Sequence, residues 1–86
     1  MERVIVQRTF EEPMSEEQIR EAAHGAGGCS DLHRVYLRKS YLSPDGLRMI
    51  CVYEAPDAES VRILQREGGV PYSRVWTSTV HAAETQ

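Results

Sequence analysis

Cys51, Tyr53 and Glu54 fall within four consecutive residues of one apolar stretch. On an extended strand Cys51 and Tyr53 point to one side and Glu54 to the other. A thiol and a phenol beneath a covering layer would line a ligand pocket. A free cysteine also behaves as a small buried hydrophobe, so core packing accounts for Cys51 more simply. Glu54 is different, because a carboxylate on a covered strand needs a partner. Arg8, on an earlier strand, can supply that partner. Failing this, Glu54 is open to proton transfer or metal ligation.

The three histidines are His24, His33 and His81. Imidazole together with carboxylate or thiolate suits nickel, zinc or copper. No two histidines have H-x-H or H-x-x-x-H spacing, so a metal site drawn from His33, Cys51 and Glu54 has to be assembled by the fold. His24 comes late in a helical segment, where the dipole favours a cation, and reads as surface electrostatics. Glu54, His33 and Tyr41 are the candidates for acid-base catalysis.

A basic and aromatic set remains: Arg8, Tyr36, Arg38, Lys39, Tyr41, Tyr53, Arg74 and Trp76. A ligand pocket drawn from Arg8, Tyr41, Cys51, Tyr53, Glu54 and Trp76 would suit a small anionic or aromatic molecule. Interfaces between protein subunits favour the same residue types, so packing against a second copy is the simpler reading. No Ser-His-Asp arrangement and no phosphate-cradling glycine loop is present. Gly25, Gly27 and Gly28 follow a helix instead of preceding one, which marks them as a terminator.

Several elements must position these residues. Val4, Ile5 and Val6 open a β-branched strand over residues 3–9. Ser15 and Gln18 have capping-box spacing ahead of a helix, with Glu16 and Glu17 in its first turn. Ile19, Ala22, Ala23 and Ala26 share one face of that helix and predict close packing. Residues 32–42 suit an edge strand guarded by charge, with His33, Val35, Leu37, Lys39 and Tyr41 on one face. Ser43-Pro44-Asp45-Gly46 is a turn. Residues 47–55 form its partner strand, which is apolar without interruption from Met49 to Tyr53 and so predicts cover on both faces. Asp57 caps a second helix whose inner side carries Val61 and Leu64. Gly68, Gly69 and Pro71 end it. A last strand spans residues 73–81, followed by a loose tail.

The order β-α-β-β-α-β is that of the ferredoxin-like α+β fold, a four-stranded antiparallel sheet with two helices on one face. Its first and third strands are central, and these are the two most apolar strands here. The sheet's other face must be covered as well. Back-to-back pairing of two chains in a dimeric α+β barrel would do this. In that setting Glu54, His33 or Tyr41 would serve a cyclase, isomerase or cofactor-free oxygenase.

With 86 residues the chain makes one domain, and its small core makes oligomerisation an attractive source of stability. A net charge of −3 argues against general nucleic-acid binding. No apolar run approaches the roughly 20 residues that span a bilayer, and the charged N-terminus does not read as a signal peptide. Cys29 and Cys51 make no disulfide framework, which predicts reduced thiols and a cytoplasmic protein.

The chain also resembles a known family. The residues that carry the likeness are V-x-R-T-F-x-x-P at 6–13, Ser40-Tyr41, C-V-Y-E-A-P at 51–56 and Gly69-Val70-Pro71. They are similar to a small bacterial ferredoxin-like domain-of-unknown-function family that includes a dimeric nickel-binding protein. The resemblance implies the same fold, a homodimer, and a binding role for a divalent metal such as nickel or for a small molecule. The nickel-binding member has histidines in its first strand, where this chain has Val6-Gln7-Arg8-Thr9. The resemblance therefore implies no ligand residues. An enzyme of the barrel type and a structural or regulatory interaction module stand as the alternatives.

Overall fold

Strand-forming Val4, Ile5 and Val6 lie at the centre of the sheet, as their β-branched run predicts. The computed structural model describes residues 1–24, 29–68 and 72–81. Its elements are β1 (Glu2–Thr9), α1 (Glu16–His24), β2 (Cys29–Ser30), β3 (Val35–Leu42), β4 (Arg48–Ala55), α2 (Ala58–Gly68) and β5 (Arg74–Ser78). The sheet order is β2-β3-β4-β1-β5, and every pairing is antiparallel. The four long strands have the expected ferredoxin-like order, with β1 and β4 central. The two-residue β2 is an addition that the sequence did not signal.

Local signals act where they were expected. Gln18 N–H donates to Ser15 Oγ at 3.2 Å and Ser15 N–H to Gln18 Oε1 at 2.9 Å, a reciprocal capping box. Ser60 N–H donates to Asp57 Oδ1 at 2.8 Å and starts α2. Gly46 closes the turn at φ 74°, where its N–H reaches the Ser43 carbonyl at 2.9 Å.

One face of the sheet makes the core. Val4 and Val6 of β1, Met49, Cys51, Tyr53 and Ala55 of β4, and Val75 of β5 are buried there under Val61 and Leu64 of α2. The opposite face is open within the chain. Ile50, Trp76 and Tyr41 on it are 40%, 45% and 59% exposed, beside half-buried Ile5 and Val52. The uninterrupted apolar run of β4 thus has cover on one face only.

Three expectations need correction. Residues 31–34 form a turn in which Arg34 takes φ 59°, so β3 starts at Val35 and His33 precedes the strand. A bulge between Leu37 and Lys39 then resets the alternation: Leu37 pairs with Tyr53, yet Ser40 pairs with Cys51. Leu37, Ser40 and Leu42 therefore face the helices, while Lys39 and Tyr41 join the open face opposite Val52 and Ile50. At the chain's end β5 stops at Ser78, and His81 lies beyond it, where its ring meets the Thr79 hydroxyl at 2.8 Å.

Of the α1 face expected to pack closely, Ile19 is half-buried against the core, while Gln18 and Arg20 beside it in sequence are exposed. The side chains of Ala22 and Ala23, and residues Gly25, Ala26, Gly27 and Gly28, lie outside the described residues, as do Gly69, Pro71 and the tail. Among the described residues, no helix is long and apolar enough to cross a membrane.

Candidate functional site

Arg8 ends the buried face of β1 and is only 5% exposed. A buried guanidinium needs hydrogen bonds. Its Nη2 donates to Gln65 Oε1 of α2 at 2.8 Å and to Tyr53 Oη of β4 at 3.2 Å. Gln65 Nε2 in turn donates to Tyr53 Oη at 3.3 Å. Burial pushes the Tyr53 phenol above its ordinary pKa, against the pull of the Arg8 charge. Sequence reasoning missed Gln65. The signal was present, because position 65 continues the Val61 and Leu64 stripe at helical spacing.

Cys51 packs into the core, 2% exposed, and accepts a hydrogen bond from Ser40 Oγ at 3.5 Å. Core packing is therefore the reading that its surroundings favour. Glu54 lies on the opposite side of β4. The β1–β4 register sets it against Arg3, and sets Arg8 against Met49. The expected Arg8–Glu54 pair therefore does not form. Glu54 instead accepts from Arg38 Nε at 2.5 Å, and Arg38 lies 5.5 Å from the ring centre of Tyr36. A hydrogen bond to Asp31 is the main cause that raises the Tyr36 phenol.

His33 Nε2 and Glu67 Oε1 are 3.0 Å apart, a contact that ties the turn before β3 to the last turn of α2. His33, Cys51 and Glu54 thus occupy a turn, the core side and the open side, and the fold does not bring them together. Among the described residues no three His, Cys, Asp or Glu side chains are placed to hold one metal ion. His33 and Glu67 supply two donors of the imidazole and carboxylate type, short of a full set.

Two clefts flank β3. One, of about 870 Å³, runs between α1, β3 and the 43–46 turn, with Met14, Ile19, Leu37 and Leu42 below and Glu16, Arg20 and Lys39 around it. The other, of about 470 Å³, lies at the Thr9 end of the sheet and includes Arg8 and Tyr41. Neither includes Cys51, Tyr53, Glu54 or Trp76 among its described lining residues. Trp76 stands on the open face, where its Nε1 donates to Gln7 Oε1 at 2.8 Å. The six expected pocket residues are therefore divided among the core, the open face and the second cleft.

Residues 5–77 match the family model described as nickel responsive protein SCO4226-like. Among solved structures, the crystal structure of SCO4226 from Streptomyces coelicolor A3(2) is similar, with a TM-score of 0.79 and 17% sequence identity. The similarity covers 93% of this chain and 99% of that one. At that identity it establishes the fold. No curated protein matches the chain.

Proposed function

The chain belongs to the SCO4226-like family of nickel responsive proteins, and on that premise we propose that it is a small homodimeric binding protein for a divalent cation of the nickel type. The open sheet face is the observation that carries the dimer. Ile50, Trp76 and Tyr41 stand exposed on one side of a sheet whose other side carries the core, and aromatic and aliphatic groups so arranged are those that subunit interfaces bury. Small domains gain stability from such cover.

For the cation, His33 is the one expected donor that lies beside another donor, Glu67. Imidazole and carboxylate both suit nickel. Among one protomer's described residues no third His, Cys, Asp or Glu joins this pair, so the reading predicts weak binding with positions left to solvent or to other groups. Neither of the two clefts flanking β3 includes Glu54 among its described lining residues, so neither supports an enzymatic reading centred on that carboxylate.

Sedimentation and calorimetry test the two parts separately. A dimer at micromolar concentration and a nickel isotherm lost in His33→Ala are expected. A monomer at all concentrations would overturn the first part. Absence of nickel binding, or binding unchanged in His33→Ala, would overturn the second.

A further inference from the structure

We propose that the cleft at the Thr9 end of the sheet binds a small organic anion, a carboxylate or a phosphate ester, between Arg48 and Arg74. This goes beyond the cation reading and requires no metal; the cleft shares Tyr41 and Ile50 with the face assigned above to self-association, so ligand and partner meet at its Thr9 end.

The charge of this cleft runs against that of the molecule. The chain has 13 acidic and 10 basic residues. Yet Arg8, Arg48 and Arg74 all line the cleft, and no described lining residue is acidic. Its volume of about 470 Å³ falls in the range of small-molecule sites. Arg48 and Arg74 are exposed and form no ion pair among the described residues, where the carboxylates that form ion pairs engage His33, Arg38, Arg62 and Arg66. Asp45 feels the Arg48 charge, but its carboxylate already accepts from the Ser43 hydroxyl at 2.5 Å and from Leu47 N–H at 3.0 Å.

Strand register aims the two arginines at a common space. Arg48 of β4 pairs with Thr9, and Arg74 of β5 pairs with Gln7, so they flank β1 on the same open face. Two interstrand spacings separate the flanking strands by about 10 Å, a span that two arginine arms can close over one anion. Guanidinium groups are the side chains best suited to carboxylate and phosphate because they can donate two parallel hydrogen bonds. The floor is fixed: the Thr9 and Ser73 hydroxyls share a hydrogen bond of 2.7 Å, and Ser73 N–H donates to the Gln7 carbonyl at 2.7 Å. Tyr41 and Ile50, both on the open face, offer apolar surface to the organic part of the ligand. The guanidinium of Arg8 points inward to Gln65 and Tyr53, and adds positive charge behind the wall.

Amide NMR titration of the full chain at constant ionic strength tests this, with inorganic phosphate and with citrate as separate probes. Saturable shifts are expected at Gln7, Thr9, Arg48, Ile50 and Arg74. Arg48→Gln and Arg74→Gln should each weaken binding by about tenfold, while Arg20→Gln leaves it unchanged. Saturation by citrate alone assigns a carboxylate ligand, and by phosphate alone a phosphate ligand. The proposal is overturned if neither probe saturates, if the shifts spread over other basic residues, or if either cleft arginine can be replaced without loss of affinity.

Discussion

Arg8 Nη2 donates to Gln65 Oε1 across 2.8 Å, and this bond joins the first strand to the second helix inside the core. Tyr53 Oη accepts from both partners, so three elements meet in one polar knot. Removing an acceptor from a buried charged donor costs about 1–3 kcal/mol. Gln65→Leu is expected to lower stability by about that much despite its apolar side chain, and Tyr53→Phe by about 1 kcal/mol. Urea unfolding midpoints check both. A Gln65→Leu protein as stable as the parent would show the knot to be dispensable.

Gly46 holds the turn against the start of α1. A Cβ there would lie 2.9 Å from the Met14 carbonyl oxygen and 3.1 Å from Pro13 Cβ, and the backbone takes φ +74°. Strain and contact act together, so Gly46→Ala should cost more than about 1 kcal/mol. The same substitution should disturb the Met14 N–H bond to the Gly46 carbonyl, now 2.8 Å. Thermal melts would show the loss of stability, and faster amide exchange at Met14 the loss of the bond.

Stability should hold a plateau between about pH 5 and pH 9 and fall on either side. On the acid side Asp45, Asp57 and Glu59 are held below the usual carboxylate range, chiefly by the Ser43 hydroxyl, the Ser60 N–H and Arg66. Their contribution is complete above the unfolded carboxylate pKa of about 4 and is lost as the pH falls through the depressed folded values. On the alkaline side burial raises the Tyr53 phenol. Its contribution is complete below the unfolded value of about 10 and is lost as the pH rises through the raised folded value. Urea midpoints across the range check both limbs. Tyr53→Phe should flatten the alkaline limb and Asp57→Asn should soften the acid one.

Ile50→Asp places a charge on the open face. It is expected to weaken self-association by at least about tenfold, since an unpaired charge in an interface costs more than 1.4 kcal/mol. Ile50 is 40% exposed, so the fold of the protomer should survive. Sedimentation velocity across a concentration series gives the dissociation constant, and circular dichroism confirms the fold. A dimer of unchanged affinity would place the contact elsewhere.

The sequence by itself determined the four long strands, the two helices and their order. Ser15 with Gln18, Asp57 with Ser60, and the Ser43–Gly46 turn are local signals, satisfied within a few residues of backbone. The apolar runs of β1 and β4 placed those strands at the centre because only central strands bury so much branched side chain. Tertiary structure decided which polar groups meet. The single-residue bulge after Leu37 moved Lys39 and Tyr41 to the open face, since strand alternation has period two and one extra residue inverts everything beyond it. The β1–β4 register gave Glu54 to Arg38 instead of Arg8, and the seating of α2 gave Arg8 to Gln65. These partners lie 16 and 57 residues apart, and pairing at that distance follows from how the elements pack, which no local pattern records.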